Sequence, residues 1–343
     1  MHFGIVELMP ESETRGSEMR WDPFLREWVV IAAHRGARPV LAEKADKSYR
    51  CPFCPDAPEG QGDWVVKHTN NKFAAMTPEA TLSPEILQDT LIFKVKASVG
   101  VNEVILYTRE HNQQLGSLSL DHITQLVQLW ADRYAEIGKL DVIKSVFIFE
   151  NRGTIIGVSL SHPHGQLYGF PFIPPRFQRQ LDGAQVFHEE HSRCLYCEVL
   201  ANELKIQRRI VCENEDFVAF CPPYAKWDYE THIYPRRHIP SLFFMTLEER
   251  HNYAAIIKQL VQKLDRFHPN LEFMPYTMGL YQQPTDGGQY PYFHLNMQFY
   301  PAMRGANQQK FAGSVESHMG TWINSSAPED VARMLRGIKS DLD

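Results

Sequence analysis

The chain has 343 residues, 43% hydrophobic and 22% charged, with 35 Lys plus Arg against 41 Asp plus Glu, a formal net charge of −6. That composition supports a folded core and excludes general disorder. The net acidity excludes a bulk basic field for wrapping nucleic acid, and no apolar run reaches the roughly 18 residues of a membrane span.

At about 150 residues per domain, the length allows two domains or one large one. The N-terminus carries Glu7, Glu11 and Glu13 with no basic stretch ahead of an apolar core, so it does not read as a signal peptide. Residues 1–19 are expected to be flexible. Six cysteines are too few for a disulfide scaffold, and reduced thiols in the cytoplasm are expected.

In chain order, Trp28-Val29-Val30-Ile31 reads as a strand, followed by a Gly-containing loop with Arg35 and Arg38, residue types suited to bidentate phosphate contacts. Cys51 and Cys54 form a Cys-x-x-Cys pair. A strand from Glu103 runs toward His111. Ser119 caps a helix whose stripe is Ile123, Leu126, Val127, Trp130 and Tyr134. Glu150-Asn151-Arg152-Gly153, then Gly157 and Ser159, place small and amide-bearing residues ahead of His162-Pro163-His164-Gly165-Gln166, where glycine lets backbone N–H groups approach an anion. Residues 176–193 read as a linker with helical character.

The second half then repeats the first. Cys194 and Cys197 match Cys51 and Cys54. Glu230 to His238 resembles Glu103 to His111, each Glu eight residues before its His. Thr246 opens a capping box with Glu249, and Tyr253, Ile256, Ile257, Leu260, Val261 and Leu264 make the second helical stripe. A strand carrying His294-Leu295-Asn296 matches the one carrying His162-Pro163-His164. A last helix starts near Pro328 and runs to about Gly337. The reading is two repeats, 20–175 and 194–343.

Each half offers two thiolates and two imidazoles, the donor set of a four-coordinate structural zinc. The first set is Cys51, Cys54, His111 and His162; the second is Cys194, Cys197, His238 and His294. Cys212 and Cys221 have no such company and read as core thiols. Residues i and i+2 on a strand share a face, so His164 projects beside the ligand His162. Asn296 replaces it in the second half. A histidine retained in one copy only is a candidate nucleophile, with Gln166 placed to donate to a phosphoryl oxygen. The His162 carbonyl is expected to accept from the other ring nitrogen and fix its tautomer.

The His-Pro-His-Gly-Gln run at 162–166, Glu-Asn-x-Gly at 150–153, Cys-x-x-Cys at 51–54 and Arg-x-x-Arg-Pro at 35–39 together resemble the galactose-1-phosphate uridylyltransferases, the transferase branch of the histidine-triad superfamily. The resemblance covers about residues 20–336. It implies an α+β fold of duplicated histidine-triad-like (HIT-like) units, mainly antiparallel sheet in a half-barrel with packed helices. It implies exchange of a uridylyl group between UDP-glucose and galactose 1-phosphate by a ping-pong route through His164. By position, Asn151, Ser159 and Gln166 contact the phosphoryl group with Gly157 beside them, Arg35 and Arg38 the diphosphate, and Asn71 the nucleoside. Lys310, Phe311 and Glu316 reach the sugar, in part across a homodimer interface. An iron site known in some members is expected to be absent, because Tyr281, Asn296 and Gln298 occupy its histidine places. Lys72 departs from the Asn-Asp-Phe common among uridylyltransferases. The alternative activity is an ADP-glucose or dinucleotide phosphorylase using the same histidine; from another class, a non-catalytic zinc-stabilised nucleotide-binding module.

Overall fold

Strand pairing carries both halves into one antiparallel sheet of nine strands, in a computed structural model that describes residues 17–37, 50–82 and 90–343. Residues 1–16 and Arg38, for which flexibility and a phosphate contact were expected, lie outside the described residues. β1 (Glu18–Asp22) and β2 (Glu27–Ile31) pair with each other, and β1 with β4 (Val95–Ala97), in a small sheet of their own. Glu18 and Met19 are buried in β1.

The large sheet runs β3 (Lys67–Asn70), β5 (Val101–Leu106), β7 (His164–Phe170) and β6 (Ser145–Arg152) from the first half. It continues through β11 (Tyr276–Tyr281), β12 (Asn296–Pro301), β10 (Thr231–Pro235), β9 (Phe217–Phe220) and β8 (Ile210–Glu213). The halves join where β6 pairs with β11, from Ile148 opposite Leu280 to Arg152 opposite Tyr276. The orders β5-β7-β6 and β11-β12-β10 mirror each other across that seam, the arrangement a duplicated unit produces.

Helices α1 (Leu120–Ile137) and α4 (Leu247–Asp265) start at the expected caps. Ser119 Oγ accepts from His122 N at 3.2 Å. Thr246 and Glu249 exchange both bonds of a capping box, at 3.1 and 2.8 Å, satisfying two amides that a helix start otherwise leaves open. Both apolar stripes lie on the same face of the sheet. Leu126, Trp130, Ile257 and Leu260 pack with Ile105, Ile148, Leu167, Met278 and Met297 in one core.

The other face is treated differently in the two halves. The expected linker is helix α2 (Pro175–His191), followed by α3 (Leu195–Ile206). Phe177, Leu181, Tyr196 and Leu200 cover the second half through Val218, Phe220, Tyr234 and Phe293. In the first half, Gly165, Leu167 and Gly169 of β7 are buried against the helices, while His164, Gln166, Tyr168 and Phe170 stay partly exposed on the opposite face. A short α5 (Ser314–Met319) and α6 (Pro328–Gly337) end the chain, α6 with the expected bounds. Among the described residues no helix is long and apolar enough to cross a membrane.

Two sequence expectations need correction. The histidine strands begin at His164 and Asn296, so His162 and His294 sit in the segments just before them and not on a shared strand face. The matched segments ending at His111 and His238 are also not equivalent residue by residue. Glu103 meets Arg133 of α1 at 2.9 Å, and Tyr107 packs edge-on to Trp130, both on the helix-covered face. Glu230 bonds His232 at 2.9 Å, and Tyr234 packs near Tyr196 of α3, on the other face. A one-residue slip in register turns every side chain over.

Candidate active site

His164 opens β7 on the uncovered face. Its Nδ1 lies 2.7 Å from the carbonyl oxygen of His162, the partner expected from sequence. A carbonyl only accepts, so Nδ1 carries the proton and Nε2 keeps the lone pair. The Phe53 ring stands edge-on to the imidazole, 5.2 Å between centroids.

Tyr107 holds the turn from both sides. Its N–H donates to the Pro163 carbonyl at 3.1 Å, and next to it Thr108 O accepts from His162 Nε2 at 2.8 Å. The Tyr107 hydroxyl lies directly under Gly165: a Cβ there would stand 2.5 Å from it. Gly165→Ala must therefore shift the strand that carries His164, and such displacement costs roughly 10²-fold in kcat/KM. Steady-state kinetics check this against Gly183→Ala on α2, where an added Cβ meets nothing within 4 Å.

His164, Ser159 and Leu160 form the wall between two cavities. One, of about 90 Å³, is lined also by Phe53, Glu59, Asn71, Lys72 and Gln166. The other, of about 680 Å³, is lined also by Asn151, Gly153, Val158, Phe273 and Pro275. Asn71 Nδ2 reaches Gln166 Oε1 at 3.5 Å. Arg35 donates to the Tyr168 hydroxyl at 3.0 Å, on the same face of β7 two residues beyond Gln166. Gly153 and Gly157 take φ of +100° and +79°, conformations that favour glycine. Asn71, Asn151, Ser159, His164 and Gln166 thus come together on the two cavities, whereas Arg35 reaches only Tyr168 beside them and Gly157 lines neither cavity.

Lys310, Phe311 and Glu316 line neither cavity. They sit on an exposed C-terminal segment, where Lys310 donates to Ile323 O at 2.6 Å and Glu316 accepts from Gly313 N at 3.0 Å. Backbone N–H groups hold the Glu316 carboxyl below its usual range. A bond of 3.1 Å from Gln309 to Ile155 O ties this segment to the rim of the larger cavity. The sequence reading missed Phe53 and Glu59. Phe53 carried a signal, its place between two candidate ligands; Glu59, whose carboxyl burial pushes up against the pull of Lys72 and Lys67, carried none.

Both expected ligand sets assemble, each with its four ligand atoms within 4.8 Å of one another, so that each could hold a metal ion. Cys54 Sγ stands 3.4 and 3.8 Å from Nδ1 of His111 and His162. Cys197 Sγ stands 3.4 and 3.3 Å from Nδ1 of His238 and His294. Tetrahedral bonds of about 2.3 Å to sulfur and 2.1 Å to nitrogen put S and N about 3.5 Å apart, so the donors fit. The buried ligand histidines are oriented alike: His162 Nε2 donates to Thr108 O and His294 Nε2 to Pro235 O, at 2.8 and 3.0 Å. Four protein ligands would close the shell of a bound ion, the arrangement of a structural site.

In the second half, Asn296 Nδ2 donates to His294 O at 3.0 Å, reproducing the bond that His164 makes to His162 O. Its Oδ1 accepts from Gln298 at 2.8 Å, Gln298 accepts from the Tyr300 hydroxyl, and that hydroxyl accepts from Arg176 of α2 at 2.8 Å. Asn296 is fully buried. The copy is filled and sealed where the first half is open.

Two domains of one family match the chain, "Galactose-1-phosphate uridyl transferase, N-terminal domain" over residues 7–174 and "C-terminal domain" over residues 180–339. A galactose-1-phosphate uridylyltransferase of Thermotoga maritima is 36% identical over 322 residues, 93% of this chain and 98% of that one. A solved uridylyltransferase structure superposes with a TM-score of 0.83 at 31% identity, covering 93% of this chain and 97% of the other. An ADP-glucose phosphorylase of Arabidopsis thaliana, solved with bound ADP-glucose, shares the fold with a TM-score of 0.72 at 24% identity, covering 95% of this chain and 99% of that one. With both family domains present in order around an accessible His164, the chain belongs to the galactose-1-phosphate uridyl transferase family.

Proposed function

We propose that the enzyme exchanges UMP between UDP-glucose and galactose 1-phosphate through a uridylyl-His164 intermediate. The observation that carries this reading is the Nδ1 bond to His162 O, which leaves Nε2 as the nucleophile on a wall between two cavities. Nε2 attacks the α-phosphorus, the bond from that phosphorus to the glucose 1-phosphate oxygen breaks, and the electron pair leaves with glucose 1-phosphate. A phosphate oxygen of galactose 1-phosphate then attacks the same phosphorus, and the N–P electron pair returns to Nε2. The leaving group is already a stable anion and needs no strong acid, so catalysis rests on positioning and charge stabilisation. In this reading Gln166, Ser159, Asn151, Gly157, Arg35 and Arg38 hold phosphoryl oxygens. Asn71 holds the nucleoside, and Lys310, Phe311 and Glu316 meet the hexose, in part from the partner of a cytoplasmic homodimer. Zinc occupies both Cys-Cys-His-His clusters, pinning repeats 20–175 and 194–343. No iron is needed where Tyr281, Asn296 and Gln298 stand.

A second reading, adenylyl transfer from ADP-glucose, is favoured by Lys72 in the smaller cavity. Incubation with UDP-glucose or ADP-glucose labelled in the α-phosphate separates the two. The expected result is acid-labile label on the protein from UDP-glucose; label from ADP-glucose alone would replace the uridylyl reading with the adenylyl one.

A further inference from the structure

Behind the nucleophile strand lies a carboxyl that the mechanism above does not use. On β6, Val146, Ile148, Glu150 and Arg152 are buried. Two charged residues in that row break the apolar pattern. Arg152 is accounted for: it donates to both carboxylate oxygens of Asp265 at 2.8 and 3.0 Å and to Gln114 at 3.1 Å. That pair is neutral, and among the described residues no cation forms an ion pair with Glu150, which feels Arg152 only at longer range. Tyr276 donates to Glu150 at 3.3 Å, and the Tyr107 hydroxyl lies beside it. Phe149 pairs with Gln166, so Glu150 comes next to Gly165, the residue after His164. The Tyr107 hydroxyl fills the space under that glycine.

We infer that Glu150 is a positioning residue for the nucleophile, whose carboxylate, acting through Tyr107 and the strand at Gly165, favours the positively charged uridylyl-imidazolium on His164 over the free imidazole. The inference rests on the covalent route proposed above. When Nε2 bonds to phosphorus and glucose 1-phosphate departs, the ring retains its Nδ1 proton and gains a positive charge. A negative charge fixed beside that strand, on a residue 5% exposed at the edge of the larger cavity, meets that charge as it forms and costs no reorganisation. The charged and titratable groups around Glu150 are Arg152 on its own strand, Tyr276 on β11, Tyr107 beyond β5 and Asp265 at the end of α4. Burial pushes the Glu150 carboxyl up to about 7, against the pull of Arg152 and the Tyr276 hydroxyl. It is therefore ionised above neutrality and protonated below it.

The test measures the equilibrium between enzyme with UDP-glucose and uridylyl-enzyme with glucose 1-phosphate, from pH 5.5 to 8.5, in wild type and Glu150→Gln. The amide keeps the size and the tyrosine contacts and removes the charge. The expected result is an equilibrium constant about tenfold lower at pH 8 in the variant, with the difference vanishing toward pH 5.5. Equal constants across the range would overturn the inference. Should Glu150→Gln fail to fold, Tyr276→Phe serves instead: losing one donor to the carboxylate moves the wild-type inflection to higher pH, and an unmoved inflection counts against Glu150. Absence of label in the wild type would instead refute the covalent route itself.

Discussion

His164→Asn protein is expected to fold, keep its metal content and take up no label from UDP-glucose. The chain supplies its own precedent, because Asn296 occupies the matching place and donates to His294 O at 3.0 Å as His164 donates to His162 O. An amide at 164 can keep that bond and hold the turn while offering phosphorus no nucleophilic nitrogen. Exchange that proceeds through a covalent intermediate has no substitute for the lost group, so turnover falls by about 10⁵-fold or more. Label incorporation, metal content and a thermal melt read the three parts separately. Undiminished labelling would remove His164 from the mechanism, and full nucleotide-sugar binding with undiminished biological activity would revive the non-catalytic reading.

Cys51→Ser is expected to reduce zinc from about two per chain to about one and to abolish activity at temperatures where Cys194→Ser protein still reacts. Four-ligand zinc sites supply roughly 10–16 kcal/mol of folding free energy to small peptides. Here the shared sheet carries much of the fold, so a loss of about 5 kcal/mol is anticipated from either substitution, lowering the melting temperature by roughly 10 °C or more. The two losses differ in what they release. The first cluster contains His162, whose carbonyl fixes the tautomer of His164. The second contains His294, whose carbonyl accepts from the buried Asn296, which offers no nucleophile. Metal analysis and kinetics below both melting points test the difference. Two zinc per chain in the Cys51 variant would place the metal elsewhere.

Much of this site is legible in the residues because its determinants are local. Cys51 with Cys54, and the caps Ser119 and Thr246 with the amides of His122 and Glu249, act over three positions, where local geometry leaves few options. Errors arise where position depends on a partner strand. Glu103 and Glu230 look equivalent by spacing, yet a one-residue slip sends the first to Arg133 and the second to His232. Phe53 reaches the His164 ring only because the fold lays the Cys-x-x-Cys loop, with Cys54 beside His111 and His162, over the start of β7. The burial of Glu150 follows from the seam with β11, which joins segments more than 120 positions apart.

The residues alone determined that the chain is a duplication with two Cys-Cys-His-His sets and that one copy kept a histidine where the other has Asn296. Only the tertiary structure decided which copy has a reachable face. One continuous sheet has two faces, and α1 and α4 cover one of them throughout. On the other, α2 and α3 close over the second half, where Asn296 is fully buried and linked through Gln298 and Tyr300 to Arg176 of α2, and leave β7 open. An apolar helix stripe announces that something will be buried; which strands it buries is set by non-local packing that no short stretch of sequence contains.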